Sequence, residues 1–355
     1  MTIEAGAALS SVTSGARLNE TDALWLFESS DLLAIGQAAH TVRMAKTGQN
    51  VVTYIIDRNI NYTNYCVSGC EFCAFYRVDG DGDEYTITPE ELNKKIEETI
   101  GLGGAQILMQ GGLHPDLEIE WYEKTLKSIK QKYKIHIHAF SPPEIIHIAS
   151  LSGIGIVETI ARLKDAGLDS IPGGGAEILS DRVRDRLSPG KCAADEWIEV
   201  MREAHKQGLR TTATMMFGHI ETLEERVESL KRIRDLQDET GGFTAFIPWP
   251  FQPENTAMPG VRPSGGFDYL KTLAISRLYL DNIDNIQASW VTQGARVGQM
   301  ALLFGANDMG STMIEENVVK AAGVSFNLSE KDIRQIIESA GYTPKRRNIY
   351  YEILD

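Results

Sequence analysis

Short apolar runs alternate along the chain with longer stretches in which apolar residues recur every three or four positions. The runs VVTYII (51–56), AQILMQ (105–110), IHIHAF (135–140), DSIPG (169–173), TTATMMF (211–217), FTAFIPW (243–249) and IQASW (286–290) are rich in β-branched and aromatic residues. They read as strands, with a short DMGST (308–312) as a further candidate. Between them PEELNKKIEETIGLG (89–103), EWYEKTLKSIKQKY (120–133), VETIARLKDAG (157–167), DEWIEVMREAHKQG (195–208) and LEERVESLKRIRDLQDE (223–239) carry helical spacing, several closing on Gly. Repeated βα units predict an α/β fold, a (β/α)8 TIM-type barrel, full or partly open. A doubly wound sheet is the structural alternative, because alternation alone does not close a ring. Residues 1–45 are expected as an N-terminal helical extension and 46–312 as the barrel. Residues 313–355 are expected as a C-terminal helical extension packing on it, with NIYYEIL as an extra strand candidate.

Composition narrows the class. A chain of 355 residues with 43% hydrophobic and 24% charged residues can bury a substantial core. Lys and Arg number 35 against 49 Asp and Glu, a net charge of −14, which argues against a general nucleic-acid or membrane-surface binder. MTIEAGAALSSVTSGARLNE has no basic leader followed by an apolar run, and no stretch approaches the roughly 18 uninterrupted apolar residues of a membrane helix. The expectation is a cytoplasmic protein with no nucleic-acid or membrane partner, whose thiols stay reduced and available to metal.

Cysteine usage is the departure from an ordinary composition. Of four cysteines, three stand at 66, 70 and 73, in the loop after the first strand. An odd number in such short loops makes disulfides a poor explanation. A four-cysteine zinc site is equally poor, because Cys192 lies far downstream without a paired partner; it reads as structural or incidental. The spacing leaves a cluster metal that takes three thiolates and keeps one position open. Three structural cysteines are the plain alternative.

The stretch INYTNYCVSGCEFCAFYR, with C-x3-C-x2-C and Phe72 just before the last cysteine, is identified as the signature of the radical S-adenosylmethionine superfamily. It resembles the branch containing the futalosine-pathway enzymes of menaquinone biosynthesis and the deazaflavin synthases. HAFSPPEI (138–145), GLDSIPGGGAEIL (167–179), TTATMMFGHIET (211–222), GGFTAFIPWPFQPENT (241–256) and DNIQASWVTQG (284–294) extend the resemblance over nearly the whole chain. It implies a [4Fe–4S] cluster on Cys66, Cys70 and Cys73, S-adenosyl-L-methionine as cofactor, and a low-potential electron donor such as flavodoxin or ferredoxin. Similarity is greatest to the enzymes that act on dehypoxanthine futalosine. There a 5′-deoxyadenosyl radical takes hydrogen from the ribose C4′, and the sugar radical attacks the attached benzoate ring. Loss of an electron and a proton then restores aromaticity.

The resemblance also implies further positions. Phe72 is expected beside the adenine, and Gln110, Gly111 and Gly112 at the methionine amino group, although a bare Gly-Gly turn reads equally well. Related enzymes carry a carboxylate in that segment, where this chain has Gln110 and Leu113. Glu177 matches a carboxylate on the cofactor's ribose or amino group, with a helix N-terminal charge as its plain reading. Ile220 matches the adenine-binding stretch. For the substrate and its carboxylate the candidates are His138 and Ser141, His219, Gln293 and Arg296; a strand histidine is otherwise a structural residue. WPFQPENT (249–256) reads as a pocket wall or a rigid loop. The alternatives are aminofutalosine synthase or one half of Fo synthase, and, from another class, a non-catalytic iron–sulfur electron carrier. Cofactor-like segments after several strands argue against a carrier.

Overall fold

The computed structural model describes residues 2–47 and 50–355. Three helices come first, α1 (Ile3–Thr13), α2 (Glu20–Glu28) and α3 (Leu32–Thr47), then β1 (Val51–Ile55) and β2 (Asp57–Asn61). There follow α4 (Pro89–Gly101), β3 (Gln106–Gln110), α5 (Ile119–Lys132), β4 (His136–Ala139), α6 (Pro142–Leu151), α7 (Ile156–Ala166) and β5 (Ser170–Ile171). The chain continues through α8 (Asp181–Leu187), α9 (Ala194–Lys206), β6 (Arg210–Phe217), α10 (Leu223–Thr240), β7 (Phe243–Pro250), α11 (Gly266–Tyr279) and α12 (Trp290–Ala301). It closes with β8 (Asp308–Ser311), α13 (Val318–Ala321), α14 (Glu330–Ser339) and β9 (Thr343–Arg346). Helix ends follow local chemistry. Thr88 caps α4 ahead of Pro89, Thr222 and Glu225 form a capping box on α10, and α10 stops at Gly241, whose φ of 63° suits glycine. Among the described residues no single helix is long and apolar enough to cross a membrane.

Strands β2 to β7 form a six-stranded parallel sheet in chain order, and β8, β1 and β9 a second parallel sheet in that order. Single bridges Phe246–Ile286 and Gln287–Asp308 join β7 to β8, and only Ile56 separates β1 from β2. The wall is therefore regular over six strands and thin over the arc from β7 to β1. This is the TIM-type barrel expected from the alternation.

Two strand expectations are corrected. IQASW narrows to bridges at Ile286 and Gln287, because the Trp290 indole N–H donates to the Ser311 carbonyl at 3.1 Å as the chain turns into α12. NIYYEIL forms no strand. Asn348 Oδ1 accepts from the Tyr350 and Glu352 N–H groups and Tyr351 sits at φ 64°, so the segment curls, leaving one Arg347–Ile353 bridge. The strand lies earlier, as β9 pairing with β1 from Val51–Thr343 to Tyr54–Arg346.

Strand residues alternate between the two faces of the wall. On β3, Ile107 and Met109 are buried against the helices, while Gln106, Leu108 and Gln110 line an internal cavity. Asp57 and Asn59 of β2, His138 of β4 and Thr212 and Thr214 of β6 face the same cavity. The lumen is thus hollow, with polar strand residues set among apolar ones, and the curl after β9 supplies part of its lining with Arg347, Ile349 and Tyr351. Arg347 is buried and grips Asp308 at both oxygens, 2.6 and 2.8 Å away. Arg347→Ala leaves that carboxylate buried without its cation, an expected loss of about 3–5 kcal/mol. Chemical denaturation should show a lower midpoint at unchanged slope, and an unshifted midpoint would sink the assignment.

Candidate active site

The thiol loop leaves the end of β2 and is pinned on several sides. Thr63 bridges Thr86, Tyr65 bridges Arg77, Cys66 N–H donates to the Arg77 carbonyl at 2.9 Å, and Glu71 N–H donates to the Leu187 carbonyl at 2.8 Å. Cys66 and Cys70 are buried and Cys73 is half-buried. The Leu113 N–H donates to Cys66 Sγ at 3.2 Å, and Ser68 Oγ lies 3.0 Å from Cys66 Sγ and 3.3 Å from Cys70 Sγ. Burial pushes the Cys70 and Cys73 thiols up, opposed at Cys70 by the Lys191 ammonium and at Cys73 by the N–H groups of Phe75 and Tyr76. A lone tetrahedral ion with thiolate bonds near 2.3 Å would draw its sulfurs to about 3.8 Å of one another. Among the described residues no three His, Cys, Asp or Glu groups are gathered that way. Three thiols on one loop, two of them linked through a serine hydroxyl, suit a polynuclear cluster instead.

Lys191, which sequence reasoning did not single out, is a largely buried cation of this region. Its Nζ donates to Glu177 Oε1 at 2.8 Å and lies 4.9 Å from the centre of the Phe72 ring. Burial alone would lower its pKa, but Cys70, Glu177 and Cys73 together hold it above the ordinary lysine value. Glu177 sits in left-handed backbone at φ 39°. Burial opposes its charge, but Lys191 and Arg184 keep its carboxyl below the usual range. Phe72, Glu177, Lys191 and the thiols therefore form one group.

Gly111 and Gly112 are tightly enclosed. A Cβ on Gly111 would meet the Tyr62 ring at 2.6 Å, and one on Gly112 would overlap the Tyr65 carbonyl. Gly111 N–H donates to Glu144 and Gly112 N–H to the Thr63 carbonyl, both at 3.0 Å, so their carbonyl oxygens are the groups suited to an ammonium. Gln110 faces the lumen. Ile220 is half-buried, and its carbonyl accepts from Arg182.

The internal cavity measures about 290 Å³. His138 lines it, with Nδ1 2.7 Å from Ser170 Oγ, and burial pulls its pKa down to about 3, keeping the ring neutral. The other substrate candidates do not join it. Ser141 caps α6 and its hydroxyl donates to Glu144 at 2.5 Å. His219 is sealed beside Glu221, with Nε2 3.0 Å from the Met216 carbonyl. Gln293 is half-buried on α12 outside the lumen, and Arg296 is exposed on its outer side. The lumen instead holds Asp57, Asn59, Gln106, Trp249, Gln287, Glu316 and Arg347. Polar residues at every second position of β2 and at both ends of β3 were the available signal for Asp57, Asn59 and Gln106. Cys192 is buried with its carbonyl on Arg184, and burial pushes its thiol up to about 11, as a structural residue requires.

Comparison with known proteins agrees with this geometry. Residues 60–233 match the model described as Radical SAM superfamily, and residues 240–355 the one described as CofH/MqnC C-terminal region. The chain is 48% identical over 347 residues to a cyclic dehypoxanthine futalosine synthase of Halalkalibacterium halodurans, covering 98% of this chain and 94% of that one. It is 44% identical to a 5-amino-6-(D-ribitylamino)uracil–L-tyrosine 4-hydroxyphenyl transferase of Methanopyrus kandleri, covering 91% and 89%. The crystal structure of methylornithine synthase superposes with a TM-score of 0.74 at 21% identity, covering 96% and 97%, which shows a shared fold. Members of the superfamily use a [4Fe–4S] cluster and S-adenosylmethionine. The chain belongs to the radical S-adenosylmethionine superfamily and is a radical enzyme of that family.

Proposed function

We propose that the protein cyclises dehypoxanthine futalosine, forming an intramolecular C–C bond between its ribose C4′ and its benzoate ring. The observation that carries this reading is 48% identity across nearly the full length of both chains to the synthase of that name. In this reading Cys66, Cys70 and Cys73 hold the cluster. Phe72, Gln110, Gly111, Gly112, Glu177 and Ile220, joined by Lys191, receive S-adenosylmethionine. Lys191 brings a buried ammonium for a carboxylate or for the negative charge of the cluster. When bound, the cofactors supply a 5′-deoxyadenosyl radical, and a low-potential donor supplies the electron that starts it.

The chain's own residues then bind, orient and exclude. One cavity of about 290 Å³ suits a single small molecule. Thr212 Oγ1 accepts from the Gly173 N–H at 3.0 Å, which leaves its own proton for a ligand oxygen. Burial pushes the carboxyls of Asp57 and Glu316 up, reducing the negative charge that an anionic benzoate would meet. Trp249, Ile247 and Leu108 line the wall with apolar surface that keeps water from a carbon radical. The Methanopyrus kandleri relative supports a second reading, transfer of a hydroxyphenyl group from tyrosine.

Anaerobic, cluster-loaded protein with reductant and S-adenosylmethionine should convert dehypoxanthine futalosine into a product two hydrogens lighter, one 5′-deoxyadenosine per turnover. An inert substrate, with turnover of tyrosine and 5-amino-6-(D-ribitylamino)uracil instead, would move the protein to the second reading. Cys70→Ala should lose most of its roughly four irons and all cofactor cleavage; full turnover in that variant removes the cluster assignment. Lys191→Met should retain iron while weakening S-adenosylmethionine at least about tenfold, or roughly 1.4 kcal/mol. Equal affinity by calorimetry would show that Lys191 serves only Glu177.

A further inference from the structure

Two histidines of β4 and a serine of β5 form a hydrogen-bonded series that substrate binding leaves unused. His136 and His138 are two residues apart and therefore share one face of the strand. Ser170 pairs with His138 across the ladder, and its Oγ lies 2.7 Å from both His138 Nδ1 and His136 Nε2. Ser170 is fully buried. His138 lines the cavity, and its Nε2 has no protein partner among the described residues and is not sealed off. His136 is half-buried, edge-on to Tyr350 with ring centres 5.6 Å apart, and lies beside the Lys130–Asp169 pair. Arg347 is the other charged group bearing on His138. Burial keeps both rings neutral.

A serine hydroxyl has one proton to share between two imidazoles. The oxygen could accept from both rings, but among the described residues Ser170 Oγ has no third partner, so its own proton is satisfied only when one ring accepts it and the other donates, which puts the two rings in series. We propose that the series runs outward from the cavity and serves the closing deprotonation of the cyclisation proposed above. His138 Nδ1–H donates to Ser170 Oγ, Ser170 O–H donates to His136 Nε2, and the bare His138 Nε2 is the base.

In the closing step the ring C–H bond breaks and its proton passes to His138 Nε2. The electron pair of that bond stays in the ring and restores aromaticity, and the unpaired electron leaves to a one-electron iron–sulfur acceptor. His138 Nδ1–H moves to Ser170, the Ser170 proton moves to His136 Nε2, and His136 Nδ1–H is released to water. When product leaves, His138 Nε2 gives its proton to water and the series resets with uptake at His136. His138 is the catalytic residue, and Ser170 and His136 are positioning residues acting through it.

The first test needs no substrate. Cluster-loaded protein labelled with ¹⁵N-histidine, assigned with His138→Gln and His136→Gln, should show both rings protonated at Nδ1. A His138 ring protonated at Nε2 overturns the proposal, since no base would then face the cavity. The second test is a single turnover. In Ser170→Ala and His138→Ala the cyclised product formed per 5′-deoxyadenosine should fall at least about tenfold from the wild-type ratio. Added imidazole should restore it in His138→Ala. An unchanged ratio in His138→Ala overturns the base assignment. If wild-type protein cleaves the cofactor and makes no cyclised product, the reaction reading fails, while the tautomer spectrum still decides the series.

Discussion

A barrel that keeps its lumen hollow cannot be held by side chains packing across its axis, so it must be tied around its wall and beneath. Asp308 supplies that tie. Its carboxylate, fully buried, accepts from Thr53 at 2.5 Å, from the Gly310 N–H at 2.7 Å and from both arms of the Arg347 guanidinium. Those partners come from β1, from β8 itself and from the segment after β9, where the wall has few ladder bonds. A buried carboxylate without its cation would cost several kcal/mol, so the pair ties the wall and the C-terminal segment to each other.

Hollowness in turn decides what the polar strand residues can do. In a filled barrel the inward positions are bulky and branched and pack in layers. Here they include Asp57, Asn59, Gln106, Gln110, His138, Thr212 and Thr214 beside the apolar Leu108, Ile247 and Trp249, and each polar one must find a partner or face the cavity. Several are held in place by pairing with one another: Gln106 donates to Asp57 at 2.8 Å, Asn59 donates to Glu316 at 3.1 Å, and His138 leans on Ser170. The result is a preorganised interior, where a reactive intermediate meets fixed groups in place of water.

Much of this was legible beforehand, for a physical reason. Strand and helix periodicity are properties of neighbouring residues, so the βα alternation and the barrel could be read from runs such as AQILMQ and LEERVESLKRIRDLQDE. IQASW and NIYYEIL misled because their composition suits a strand while side-chain bonds from Trp290 and Asn348 turn the chain away. The thiols were legible because their spacing is a local fact. Lys191 was not, since only the loop packing that sets Gly190 against Ser68 brings it to the thiols and Glu177.

The sequence by itself determined the class of chemistry: three cysteines at a spacing that suits a cluster, on the loop after the first strand of a βα repeat. Only the tertiary structure decided which side chains share the lumen. It turned Ser141 and His219 into partners of Glu144 and Glu221, left Arg296 on the outer side of α12, and carried Arg347 and Tyr351 in from the far end of the chain. The reason is one of range. Periodicity and loop spacing act over a few residues, whereas a lumen gathers residues hundreds of positions apart, and their burial and pairing exist only once the wall has closed.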